Sequence, residues 1–375
     1  MTSTTHHAES NAPALYVALE LSTKEWWLTM GVAPSSKTIR RRIIVGDGAA
    51  LTQALARAKT TFQLSAEAQV RSCYEAGHDG FWPHRLLTAV GVLNLVVDSS
   101  SIEVPRRAKH AKTDRLDGAK LLRLLYRHWG GEHDMWHVVH VPTREVEDAR
   151  HANRARSMLQ VERTRYRNRI HGLLQLHGTR LRIDRHLPAR LETATDWAGA
   201  PLPPGVQARV RQLWTLLFAI EAERYRARYA EDQALRRPAV PPTCAQQLVR
   251  LRGVGARSAT VLADELFTRD LRNRREVGGL TGLVSAPHHS GTRRVDQGLT
   301  RSGLPHVRHI AGQLAWMWLR HQPNSALTRW YRTRFDGRGL VAQRIGIIAL
   351  ARRLMIALWR YVTFGLIPEG ALLKA

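Results

Sequence analysis

Leu15-Tyr16-Val17-Ala18-Leu19-Glu20-Leu21 is apolar throughout except for one carboxylate near its end. It reads as a buried strand. Working outward, Glu25 to Val32 is apolar and aromatic, and Thr38 to Val45 is rich in β-branched residues, so a three-strand meander is expected. Ala49 to Phe62 has helical character. Val70-Arg71-Ser72-Cys73-Tyr74-Glu75 reads as a fourth strand, Phe81 to Val92 as a helix, and Leu95-Val96-Val97-Asp98 as a fifth strand. Strands followed by strand–helix alternation indicate an α/β layer fold. Sites in open α/β sheets gather at the carboxyl ends of strands, where Glu20 and Glu75 stand. A lone acid late in a strand is more often an edge or loop charge.

Arg106-Arg107-Ala108-Lys109-His110-Ala111-Lys112-Thr113-Asp114-Arg115-Leu116-Asp117 follows, a basic run ending in two carboxylates three residues apart. Leu121, Leu122, Leu124 and Leu125 then mark an apolar helix. Thr113 is a candidate N-cap. Asp114 and Asp117 share one face of the first turn. The residues alone leave two readings open: a helix start whose acids suit the dipole, or half of a divalent-metal site beside a surface that draws in polyanions.

The 375 residues suffice for two or three domains. With 44% hydrophobic residues the chain is globular. Its 57 basic residues against 31 acidic ones leave a net charge of +26, which calls for a polyanionic partner, nucleic acid above all. Two cysteines far apart, Cys73 and Cys244, build neither a disulfide framework nor a zinc site and suit a reducing cytoplasm. No apolar stretch is long enough to span a membrane, so no membrane partner is expected. Residues 1–13 read as a flexible leader rather than a signal peptide.

Val141 to Thr179 carries no strand character. Leu159, Tyr166, Ile170, Leu173 and His177 approximate a heptad seam, and Val206, Val210, Leu213, Leu217 and Ile220 repeat at spacings of three and four. Two long antiparallel helices are expected. Residues 150–190 hold eleven Arg against only Glu162 and Asp184. Such an excess favours a dimerising coiled coil with a basic face along nucleic acid, contacted by Arg154, Arg163 and Arg167, over a plain helical hairpin. Pro238, Pro241 and Pro242 mark a linker. Beyond it, Leu251-Arg252-Gly253-Val254-Gly255 lies between two helical segments in a helix-hairpin-helix pattern. Gly253 and Gly255 allow the tight turn, and Arg257 and the backbone N–H groups can hold a phosphate without reading bases. The competing reading is a generic two-helix turn. Ser290 lies in a His- and Arg-rich, Gly-flanked loop (Pro287-His288-His289-Ser290-Gly291-Thr292-Arg293-Arg294), where it is either a nucleophile or part of an ordinary turn. Two apolar helices, Val307 to Leu319 with Trp316 and Trp318, and Val341 to Phe364, close the chain as core.

The ordered motifs Val17-Ala18-Leu19-Glu20-Leu21-Ser22-Thr23-Lys24, Tyr74-Glu75-Ala76-Gly77, Ala111-Lys112-Thr113-Asp114-Arg115-Leu116-Asp117, Leu251-Arg252-Gly253-Val254-Gly255, and Gly282-Leu283-Val284 through Ser290-Gly291 together resemble the DEDD-type transposases of bacterial insertion sequences (insertion-sequence family 110), the group related to the Piv site-specific DNA invertases. The resemblance runs from about residue 14 to 365. It implies a RuvC-like domain of RNase H type over 14–140, a coiled-coil helical hairpin over 141–237, and a mainly α C-terminal transposase domain over 238–375. It further implies an acid tetrad at Glu20, Glu75, Asp114 and Asp117 holding Mg²⁺ (or Mn²⁺), and a serine nucleophile at Ser290. Its implied partners are double-stranded DNA (element ends and target), a structured guide RNA, and further copies of the chain as homodimer or tetramer. The family's first acid is usually Asp. Glu20 is one methylene longer and still a hard oxygen donor.

On this reading Ser290 attacks phosphorus to leave a transient protein–DNA phosphoester, and Lys109, Lys112, Arg115, Arg293 and Arg294 contact phosphates. Two alternatives remain: a RuvC-like structure-selective DNA nuclease in which the tetrad activates water, and a catalytically inactive nucleic-acid-binding relative. An RNA-chaperone role would explain the charge but leaves the four carboxylates without a purpose.

Overall fold

The computed structural model describes residues 13–35, 37–102, 114–290, 293–300 and 302–374, with backbone alone at 114–117, 287–290 and 293–297. The chain divides into two compact units, Met1–Val141 and Pro142–Ala375.

The first unit is built on a five-stranded mixed sheet. Its strands are β1 (Leu15–Leu21), β2 (Glu25–Gly31), β3 (Thr38–Ile44), β4 (Val70–Glu75) and β5 (Leu93–Val97), in the spatial order β3-β2-β1-β4-β5. The first three pair antiparallel as the expected meander, whereas β4 and β5 continue the sheet in parallel. A parallel neighbour demands a crossover, and helices α1 (Gly48–Thr61) and α2 (Trp82–Ala89) supply them. One face of the sheet buries Leu15, Val17, Leu19 and Tyr74 with Leu51, Leu55 and Leu87. The opposite face, with Tyr16, Ala18 and Cys73, is covered by α3 (Asp114–Trp129) through Leu121, Leu122, Leu124 and Leu125. Those leucines are the apolar stripe that the sequence displayed.

The second unit begins with two 33-residue helices, α4 (Arg144–Leu176) and α6 (Pro204–Arg236), joined through the short α5 (Leu187–Glu192). They run antiparallel, as the pairing of Arg163 with Glu221 and of Arg156 with Glu231 requires. The seam differs from the expected heptad line. Near the connecting segment it is apolar, with Ile170, Leu174, Val210, Leu213 and Leu217 buried beneath Leu187 and Leu191. His177 is the C-cap residue of α4 and ends the line rather than extending it. Towards the other end the contacts become charge pairs, because Arg156 and Arg163 occupy the facing positions.

The rest of this unit packs around one core of Leu248, Leu251, Leu262, Ile310, Leu314, Trp318, Leu350, Leu354 and Leu358. Its elements are α7 (Cys244–Val249), α8 (Ala256–Val261), a π-helical turn (Leu262–Leu266), α9 (Arg274–Thr281), a hairpin of β6 (Ser285–Ser290) and β7 (Arg293–Leu299), then α10 (Pro305–His321), α11 (Ala326–Phe335) and α12 (Gly339–Phe364). The sequence had suggested only the first and last members of the closing set, so α9, α11 and the hairpin are additions. Trp316 corrects another expectation: it is 53% exposed while Trp318 is buried. Two residues along a helix turn about 200°, so both cannot face one core. No helix among the described residues is long and apolar enough to cross a membrane.

Candidate nucleic-acid and catalytic sites

The carboxylate corner of the first unit follows from strand register. β1 and β4 are parallel neighbours with Leu19 opposite Tyr74. One residue further along come Glu20 and Glu75, side by side at the carboxyl ends of adjacent strands. Because side chains alternate, and Leu19 and Tyr74 belong to the core on the other face, the two glutamates belong to the face that α3 covers. Helix α3 starts at this same place. A Cβ added at Gly118 would collide with Glu20 Oε1 and lie 2.6 Å from Thr29 Oγ1. Only glycine permits so close an approach, and it immediately follows Asp117. Glu20 and the first turn of α3, which contains Asp114, Arg115 and Asp117, therefore meet, and Glu75 stands beside Glu20 on the adjacent strand.

Glu20 is 16% exposed and its Oε2 accepts from Nη2 of Arg40 on β3 at 3.0 Å. The Arg40 guanidinium in turn lies over the Trp27 ring, 4.2 Å from its centroid. Packing and pairing thus fix the orientation of the carboxylate. Below Glu75 on the same face lies Cys73, whose thiol is pushed far up by burial first and by the Glu75 charge second. It is an inert, packed thiol. Among the described residues no three His, Cys, Asp or Glu side chains group as metal ligands; the side chains of Asp114 and Asp117 are outside that set. Lys109, Lys112 and Thr113 lie outside the described residues.

In the second unit Gly253 adopts φ +85°, and a Cβ there would come within 3.1 Å of the Met317 carbonyl oxygen. The turn between α7 and α8 therefore depends on glycine twice over, through conformation and through space. Gly255 is the N-cap of α8 and Arg257 lies in its first turn. Ser290 is the last residue of β6 and pairs with Arg293, the first of β7. The expected loop is a β-hairpin; Gly291 and Thr292 lie outside the described residues. Arg293 and Arg294 lead the return strand.

The arginines of α4 divide by role. Arg154 is exposed. Arg163 Nε donates to Glu221 at 2.7 Å, and Arg167 Nη1 donates to the carbonyl of Ile183 at 3.3 Å. Arg163 thus ties α4 to α6, and Arg167 ties α4 to the connecting segment.

A polar network that the sequence did not suggest joins α4, α8, α10 and the π-helical turn. Ser157 Oγ lies 3.1 Å from His306 Nε2, and His306 Nδ1 lies 2.8 Å from Oε1 of the buried Glu265. Arg257 Nη2 donates to Ser157 Oγ at 3.0 Å. Nearby, Asn153 donates to the Asp264 carboxylate at 3.0 Å. Burial raises the carboxyl of Asp264, an effect partly offset by that bond.

Residues 245–330 match the family described as Transposase IS116/IS110/IS902 family. A relative from Sinorhizobium fredii, named "Putative transposase y4rJ", is 37% identical over 392 residues, spanning 96% of this chain and 95% of that protein.

Proposed function

The chain belongs to the IS116/IS110/IS902 family of transposases, and from that premise we propose that it cuts and rejoins DNA using Glu20, Glu75, Asp114 and Asp117 as a carboxylate set and Ser290 as nucleophile. The observation that carries this reading is the meeting of Glu20 with the first turn of α3 at Gly118, with Glu75 next to Glu20 in the β1–β4 register. The strand order β3-β2-β1-β4-β5, with α3 on one face, supports reading the first unit as RuvC-like. The helix pair of 141–237 and the remainder of 238–375 are then the coiled-coil and transposase domains.

A divalent cation fits the corner. All four candidate donors are hard carboxylate oxygens, and the absent Cβ of Gly118 leaves room for the Glu20 carboxylate against α3. When bound, Mg²⁺ or Mn²⁺ would neutralise charge on the scissile phosphate. The chain's own contribution is positional: Arg40 and Trp27 fix Glu20, and the β1–β4 register sets Glu75 beside it. Ser290 Oγ then forms a bond to phosphorus as the deoxyribose oxygen leaves, giving a seryl phosphodiester. Attack by the deoxyribose hydroxyl of the exchanging strand reverses that step and reseals the backbone without hydrolysis. Double-stranded DNA at the element ends and target is the substrate. A structured guide RNA and a homodimer or tetramer complete the assembly in this reading.

The test is covalent trapping. Protein incubated with Mg²⁺ and DNA carrying its own element's ends should yield a protein–DNA adduct mapping to Ser290, and Ser290→Ala should abolish it with at least a thousandfold loss of strand exchange, on the scale expected when an essential nucleophile is removed. Continued cleavage by Ser290→Ala would identify a nuclease instead. Tight binding without any cleavage by the unaltered protein would identify an inactive relative.

A further inference from the structure

The second unit contains a pocket of 330 Å³ where α4, α6 and the start of α8 meet, lined by Arg156, Arg224, Arg228, Arg257, Glu231 and Asp232 among others. Its charges do not balance locally. Glu231 is buried and accepts from Arg156 at 2.7 Å. Asp232 lies 3.8 Å from Arg228. Glu221, one turn along α6 from Arg224, is occupied by Arg163 at 2.7 Å. Among the described residues, that leaves Arg224 and Arg257 with no carboxylate within 4.0 Å.

Arg257 is nevertheless held in place. Arg257 donates to Ser157, which lies within hydrogen-bond distance of His306, itself against the buried Glu265. That chain aims Arg257 without neutralising it, since the group it touches is a hydroxyl. Arg224 is half-buried. Its guanidinium is pushed below its ordinary range by burial first, then by the positive charge of Arg163, with Arg257 adding to it against the opposing pull of Glu221. Two half-buried cations at one pocket, with the local acids already occupied, is an arrangement that an anion would stabilise.

We propose that this pocket is a binding site for one nucleic-acid backbone phosphate, gripped by Arg224 from α6 and Arg257 from α8, with Ser157 and His306 as positioning residues for Arg257. The site rests on the reading of the chain as a nucleic-acid-processing enzyme and extends it, because Arg224 belongs to a long helix whose sequence carries no hairpin motif. A phosphate seated here would also tie the helix pair to the glycine hairpin, since the two arginines come from those two elements. Phosphates contribute affinity and register rather than base identity, so binding at this pocket is independent of sequence.

The test compares full-length protein with Arg224→Gln/Arg257→Gln, measuring affinity for a short duplex DNA and separately for a hairpin RNA over a range of salt concentrations. Losing one phosphate contact should reduce the slope of log K against log salt by about one. The arm in which the slope falls identifies the strand that occupies the pocket. Arg224→Lys/Arg257→Lys retains the charges and should recover most of the slope, which separates loss of contact from loss of fold. Arg226→Gln alters an exposed arginine on the same helix, paired with Glu223, and should leave the slope unchanged. An unchanged slope in both arms for the double Gln variant, or an equal fall for Arg226→Gln, overturns the pocket assignment while leaving the wider reading intact. Failure of the unaltered protein to bind either nucleic acid overturns both.

Discussion

The two ends of the α4–α6 pair are built on different principles. Where the helices approach the connecting segment, Ile170, Leu174, Val210, Leu213 and Leu217 are sealed from solvent under Leu187 and Leu191. Towards the other end the same two helices meet through Arg163–Glu221 and Arg156–Glu231. Apolar burial is nondirectional and stabilises about 25 cal/mol per Å², so the first end holds itself together. Ion pairs return little net stability because desolvation opposes their attraction. What they provide is a defined placement of charge, and the charged end is where the arginine pocket lies. The helix pair thus separates a region that maintains the fold from a region that presents cations.

The largest effect should come from the apolar end. Ile170 is fully buried, and Ile170→Ala removes its packing and leaves a cavity, for an expected loss of about 4 kcal/mol read as a lowered urea midpoint at constant m-value. A loss under about 1 kcal/mol, the range of well-tolerated surface changes, would mean that the end does not carry the fold. Glu231→Gln comes next. Glu231 is 6% exposed and Arg156 22%, so removing the carboxylate charge strands a largely buried guanidinium at a cost of about 3 kcal/mol. If equilibrium unfolding places Glu231→Gln above Ile170→Ala in cost, the contrast between the two ends is reversed.

The same contrast governs how much the sequence disclosed. The sheet of the first unit was legible because a buried strand must be written in apolar residues, as 15–21 is except for Glu20, and because β-branched Thr38, Ile39, Ile43 and Ile44 flank the three arginines of β3. The convergence of Glu20 with the start of α3 was legible only in outline. Gly118 is what admits the carboxylate, and a glycine near a helix start has no unique meaning until Thr29 and Glu20 are seen beside it. The β6–β7 hairpin escaped because Ser285–Ser290 contains Pro287 and two histidines in place of strand-forming residues. The Ser157–His306–Glu265 network escaped for a different reason. Ser157 and His306 are 149 residues apart and His306 and Glu265 are 41 apart, and each is an ordinary polar residue within its own helix or turn. The arginines of α4 were visible as a charge excess. Which of them are internally occupied was not, since the partner of Arg163 is 58 residues away on α6.

Arg163 gives the finest test of the comparison. Its guanidinium is 29% exposed and the Glu221 carboxylate 38%, so solvent screens the pair and a double-mutant cycle of Arg163→Ala and Glu221→Ala should return a coupling of about 0.5 kcal/mol. High salt should reduce it further. The single variants should differ in a more informative way. Glu221 favours the charged form of Arg224 and Arg163 opposes it. Arg163→Ala therefore removes a repulsion at the pocket, whereas Glu221→Ala leaves the repulsion between Arg163 and Arg224 uncompensated. Glu221→Ala should be the more destabilising of the two in low salt, and the difference should shrink as salt is added. A coupling above about 2 kcal/mol, beyond the usual range for exposed pairs, would show that the charged end also maintains the fold; equal costs for the two single variants would show that Arg224 does not sense either neighbour.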